Sequence, residues 1–196
     1  MKTKEELIEI ENEIRKLFLE KKIRYMFHMS GGNEEELIKI FQDIKEDDWV
    51  FSTHRCHYHA LLKGIEKNKF LRYIQEGKSM HMYDKKRKFF TSSIVGGVLP
   101  IAVGVALGIK LSNKSNRVWV FVGDMCKEMG IFHECYKYAS RHNLPITFVV
   151  EDNGRGIMNT KKVWGEEKNY LTKLIEYKYE HTYPHAGTGD FVKFDD

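Results

Sequence analysis

Proline and cysteine are scarce in this chain, and each scarcity removes a class of protein. Three prolines in 196 residues leave no Pro-rich linker or collagen-like repeat. The three cysteines, Cys56, Cys126 and Cys135, are odd in number and form no CxxC pair, which argues against a disulfide framework and a zinc site. An excess of one charge sign is missing too. Thirty-two Lys+Arg against 28 Asp+Glu gives +4, compatible with an anionic small ligand but too weak to indicate nucleic acid. The N-terminal stretch MKTKEELIEIENEIRKLFLEKKIRYMF is charged throughout and has no apolar signal core, so the expected compartment is the reducing cytoplasm. The only membrane-like run, IVGGVLPIAVGVALGIKL at 94–111, carries Pro100 and four glycines and has Lys110 near its end. It reads as a buried helix of a parallel α/β core, with no membrane partner.

What is present is the material of a globular core: 42% hydrophobic residues beside 31% charged ones. The length suits a single domain with an appended segment, divided here into an N-terminal helical arm (1–29) and a body (30–196). Leu7, Ile10, Ile14, Leu17, Phe18 and Ile23 recur at helical spacing, which predicts an amphipathic helix over 4–27 that packs on the body or on a partner. A second helix is expected over 34–44 after the turn SGGN, and DDWVFST at 47–53 enters the body. Residues 54–90, rich in His, Lys and aromatics without clear period, read as loops around one short helix near 59–75. Beyond them come an apolar helix to 111, the hydrophobic run RVWVFV at 117–122, an amphipathic helix over 128–142 and the β-branched run ITFVV at 146–150. Strand, helix, strand with strands apolar on both faces is a parallel βαβ unit. The last forty residues read as a Lys/Glu-rich arm, one strand and a tail. The fold class expected is α/β, a parallel sheet with helices on both faces.

In such sheets ligands bind beyond the carboxyl ends of the strands. Asp124 follows one strand and Asn153 follows the next, so their side chains are expected to converge on one edge. A carboxylate, an amide oxygen and a loop carbonyl form a hard oxygen set suited to magnesium or calcium. The helix starting after Asp124 turns unpaired N–H groups toward the same place, which favours an anion. Gly123 is expected to allow a tight turn and close ligand approach. Asp is also an ordinary helix cap and EDNG an ordinary turn; the joint occurrence behind two strands gives the functional reading its weight.

GDM at 123–125 followed by DN at 152–153 resembles the thiamine diphosphate signature. DDWVFSTHRCH at 47–57, GKSMHMY at 77–83, IVGGVLPIAVGVALGIKL at 94–111 and GIFHECYKYASRHNLPITFVVEDNGRGI at 130–157 resemble, in collinear order, the alpha subunit of the decarboxylating component of 2-oxo acid and acetoin dehydrogenase complexes. The resemblance implies a thiamine diphosphate-binding fold of the diphosphate-binding kind. It puts Asp124, Asn153 and the carbonyl of Arg155 on magnesium, Met125 and Cys126 beside the diphosphate, and Arg55 on the diphosphate itself, with His54 where the family has tyrosine. A bidentate guanidinium suits phosphate oxygens better than an ammonium does. Ser93 and Val95 would flank the turn facing the aminopyrimidine, and Ile157 would help hold the cofactor bent.

The same resemblance implies an obligate beta-like partner. Its pyrimidine-binding domain would supply the activating glutamate in a heterotetramer, with a small 2-oxo acid or ketose as substrate, because nothing in these residues resembles that domain. His57 and His81 are candidates for lining the active site, able to donate protons or meet a substrate carboxylate, and His185 in TYPHAG for the family's late active-site histidine. Two departures stand out: Met125 replaces the second glycine of GDG, and the chain past Thr160 is shorter than in the family. Two alternatives stay open: the N-terminal half of a split transketolase, and a non-catalytic scaffold with the same fold, to which these departures point.

Overall fold

The computed structural model describes residues 1–154 and 174–183. Thr3 opens the first helix, α1 (Lys4–Leu19), with a capping box. Its hydroxyl accepts the Glu6 N–H at 3.3 Å while the Glu6 carboxylate accepts the Thr3 N–H at 2.7 Å. The helix ends well before residue 27 because Lys21 turns to φ 58, outside the right-handed helical region. Leu7, Ile10 and Ile14 are buried on its inner face, each worth about 1.5–3 kcal/mol of transfer free energy.

The remaining elements are α2 (Glu34–Phe41), β1 (Trp49–Ser52), α3 (His57–Leu62), α4 (Lys67–Gln75), β2 (Tyr83–Asp84), β3 (Phe89–Thr91), α5 (Val98–Leu111), β4 (Val118–Gly123), α6 (Asp124–Lys127), α7 (Gly130–Arg141), β5 (Ile146–Asp152) and β6 (Leu174–Lys178). Residues 54–90 thus hold two helices and a short hairpin instead of one helix among loops. All six residues of α3 are buried, so no polar face exists for a 3.6-residue period to reveal. The apolar helix begins at Val98, not 94, since Gly96 at φ 77 breaks the chain before it.

The strands form one sheet in the order β2-β3-β1-β4-β5-β6, parallel throughout except for the β2–β3 pair. Strand pleating sends alternate side chains to opposite faces. Val118, Val120 and Val122 of β4 enter a core with α5 and α7, whereas Trp119 and Phe121 enter a second core with α1 to α4. Helices therefore cover both faces, which explains why β4 reads as an unbroken apolar run. From β1 the chain moves to β3 by way of α3 and α4 on one face. It then crosses on the other face through α5 to β4, on the opposite side of β1. The crevice between β1 and β4, where the direction of winding reverses, is the topological switch point of the sheet. Among the described residues no helix is long and apolar enough to cross a membrane.

Candidate active site at the switch point

The carboxyl ends of five parallel strands open into one concavity. The loop after β1 contributes Thr53, His54 and Arg55; the turn after β3 contributes Ser92, Ser93, Ile94, Val95 and Gly96. The β4–α6 junction adds Gly123, Asp124, Met125 and Cys126, β5 adds Glu151 and Asn153, and Tyr179 follows β6. Nine of the residues singled out in the sequence meet here: His54, Arg55, Ser93, Val95, Gly123, Asp124, Met125, Cys126 and Asn153. Arg155, Ile157 and His185 lie outside the described residues.

Asp124 is 8% exposed and begins α6 directly after the last residue of β4. Gly123 does not supply an unusual turn: its φ of −82 and ψ of 167 are ordinary extended backbone. A Cβ built there would meet nothing within 4 Å, so the glycine leaves room beside the carboxylate. Gly96 is different. Its φ of 77 excludes most side chains, and a Cβ would stand 2.8 Å from Ile131 Cγ2. Met125, half-buried, lies on the wall of the concavity and leaves it open.

Burial pulls the Arg55 guanidinium below its ordinary value, and the nearby Tyr179, Glu151 and Asp124 oppose that pull. Among the described lining residues, one guanidinium faces two carboxylates. The Cys126 thiol is pushed up to about 11 by burial and is no nucleophile at neutral pH. Among the described residues no group of three or more His, Cys, Asp or Glu could hold a metal ion. A cation here would rest on Asp124 and the amide of Asn153, a hard-oxygen set.

Two residues to which the sequence assigns no role, Glu151 just before the DN pair and Tyr179, are part of this wall. Glu151 accepts from Asn33 Nδ2 at 2.9 Å and from the Tyr177 hydroxyl at 2.6 Å, and its Oε1 lies 3.2 Å from His59 Nε2. His59 in turn meets Ser52 Oγ through Nδ1 at 2.7 Å. Tyr179 is fixed by its backbone N–H, which donates to the Asp152 carbonyl at 2.9 Å, and its hydroxyl accepts from Asn153 Nδ2 at 3.5 Å. The signal for Glu151 was its place one residue before the DN pair. Nothing in the sequence marks Tyr179, because its position follows from the register of β6 on β5.

The histidines separate. His81 is exposed and its Nε2 stands 3.4 Å from Ser93 Oγ, at the rim. His57 does not reach the concavity: it is fully buried, with Nδ1 2.8 Å from Glu11 Oε1 and Nε2 2.8 Å from Ser79 Oγ.

A doubly wound α/β sheet thus gathers a carboxylate, an amide and a guanidinium at its switch point, the place where sheets of this class take their ligands. The comparisons make the class specific: the family model of the dehydrogenase E1 component matches residues 2–175, and the chain belongs to that family. The alpha subunit of acetoin:2,6-dichlorophenolindophenol oxidoreductase from Bacillus subtilis (strain 168) is 31% identical over 156 residues, covering 74% of this chain and 47% of that protein. The pyruvate dehydrogenase E1 component subunit alpha of Rickettsia prowazekii (strain Madrid E) is 30% identical over 142 residues, covering 67% and 44%. The chain thus spans just under half the length of these curated relatives.

Proposed function

We propose that this chain is the alpha-like subunit of a thiamine diphosphate-dependent enzyme that breaks or forms the C–C bond beside the carbonyl of a 2-oxo acid. The observation that carries the reading is the convergence of Arg55, Asp124 and Asn153 on one concavity at the switch point. Family membership, and the alpha subunits among its relatives, support it. The donor chemistry fits the group. Asp124 and the Asn153 amide oxygen would bind magnesium, joined by the Arg155 carbonyl, and Arg55 would take diphosphate oxygens through two N–H groups. With two carboxylates and one guanidinium among the described lining residues, a diphosphate would enter with its divalent cation. When bound, the cofactor supplies the electron sink for C–C cleavage.

The chain's own residues then bind, orient and exclude water. His54, Gly123, Met125 and Cys126 line the diphosphate end, and Ser93 and Val95 the aminopyrimidine end. Ile157 would hold the bent conformation. His81, at the rim beside Ser93, is the described histidine best able to meet a substrate carboxylate, and His185 is assigned the same region. His57, held by Glu11 and Ser79 away from the concavity, takes a structural role. Ile94 and Val95, exposed at 71% and 52%, leave an apolar lip that suits a beta-like subunit. We assign to that subunit the pyrimidine-binding domain with the activating glutamate, in a cytoplasmic heterotetramer.

The test is calorimetry of the chain, alone and co-expressed with its beta-like partner, against thiamine diphosphate with and without magnesium. Binding is expected to require magnesium and to disappear in Asp124→Ala. No binding even beside the partner would leave a scaffold that keeps the fold alone. Turnover of a ketose donor in place of a 2-oxo acid would select the split transketolase reading.

A further inference from the structure

Lys127 is an unusual residue to find where it stands. It is the last residue of α6, one turn past Asp124, and it is 4% exposed. A buried ammonium needs a counter-charge, and its Nζ lies 2.5 Å from Glu176 Oε2. Glu176 belongs to β6, where it pairs with Val150 of β5. Because β5 separates β4 from β6, this contact reaches across an intervening strand. It joins two walls of the concavity that are far apart in sequence. One wall is the β4–α6 junction with Asp124, Met125 and Cys126; the other is the end of β6, which delivers Tyr179. Four residues of helix are too few to hold their own axis direction, so the orientation of α6 depends on what its side chains grip.

We propose that the Lys127–Glu176 ion pair is a positioning element of the candidate cation site, holding the Asp124 carboxylate in register with the wall formed by β6 and Tyr179. The proposal rests on the reading of the concavity as a magnesium–diphosphate site and adds to it two residues that touch neither ligand. An ion pair with a purely structural role would change the melting temperature and leave cation affinity alone. A positioning pair changes the affinity of folded protein, and it is restored when the charges are exchanged.

The experiment measures Mn2+ binding in the presence of thiamine diphosphate, read by electron paramagnetic resonance on the full chain co-expressed with its partner. Circular dichroism melts are taken on the same samples. Lys127→Met and Glu176→Gln are each expected to weaken Mn2+ binding by about tenfold or more at a temperature where both remain folded. The exchanged double variant, Lys127→Glu with Glu176→Lys, is expected to recover most of that loss. Folded single variants that bind Mn2+ as tightly as the wild type overturn the proposal, as does an exchanged variant that folds and binds no better than the singles. Should the singles not fold, Lys127→Arg keeps the charge and lengthens the grip. Lys127→Arg is then expected to bind Mn2+ as the wild type does, and a folded Lys127→Arg protein that keeps the charge and yet binds more weakly overturns the proposal. Asp124→Ala separates the two levels of inference: normal Mn2+ binding by this variant overturns the site reading and the proposal with it, whereas lost binding beside folded single variants that bind normally overturns the positioning role alone.

Discussion

At Arg55, burial and neighbouring charge act in opposite directions, and the balance predicts what a substitution would do. The guanidinium is delocalised and weakly hydrated, so it tolerates burial that a compact ammonium resists. Arg55→Lys should lower thiamine diphosphate affinity by about tenfold, about 1.4 kcal/mol, in a calorimetric titration. His57 calls for a different measurement. Its ring sits between Glu11 and Ser79, all three buried, so His57→Ala would remove a hydrogen-bond partner from both and leave Glu11 Oε1 with the Ser30 N–H at 3.2 Å. The cost should be about 1–3 kcal/mol in chemical denaturation. A variant with unchanged stability and abolished turnover would instead return His57 to the active site. Sequence alone marked His57 for its neighbourhood to Arg55. What it did not carry is the partner, Glu11, which lies far away on α1 and becomes relevant only once that helix docks.

At the scale of elements, the packing of α1 decides how the N-terminal segment behaves. Leu7 and Ile14 are inaccessible to solvent within the core shared with α2, α3 and α4. Ile14→Ala should therefore cost about 2–5 kcal/mol in a denaturant titration, where a loosely attached arm would lose almost nothing. In the turn before α5, Gly96→Ala combines a positive φ with a contact at 2.8 Å to Ile131. It should lower stability by about 1–3 kcal/mol and disturb the wall that carries Ser93 and Val95. The legible elements were those whose periodicity survives burial. α1, α2 and α7 have a polar and an apolar face, and β4 and β5 are long enough to stand out as β-branched runs. β2 and β3 are two and three residues long, and α3 has no solvent face, so local pattern had nothing to register. The site was legible to the same extent: Asp124 and Asn153 follow the two legible strands, whereas Tyr179 depends on long-range register.

For the molecule as a whole, buried acids that stay protonated set the response to alkali. Burial raises the Cys56 thiol to about 12 and that of Cys126 to about 11, from an ordinary 9.0, and it lifts Tyr58, Tyr177 and Tyr179 above 10.0. As pH passes 9 and then 10 the unfolded chain releases these protons and the folded chain keeps them, so the unfolded state binds fewer protons and stability falls. Lys63 works the other way. Burial lowers it from 10.5 to about 8, so the folded chain gives up that proton first and gains stability between those values. Melting temperature should decline above about pH 9, and Lys63→Met should make the decline steeper by removing the opposing contribution. The concavity has a consequence of its own. Arg55, Asp124, Asn153 and Tyr179 come from four different strand ends, so no fragment of the chain can form this recess before the whole sheet has closed. A molecule captured there is captured by the native state alone, and mass action turns occupancy into resistance to unfolding, about 2.7 kcal/mol at a hundredfold excess over the dissociation constant. The lifetime of the chain inside a cell would then track the supply of whatever fills the recess.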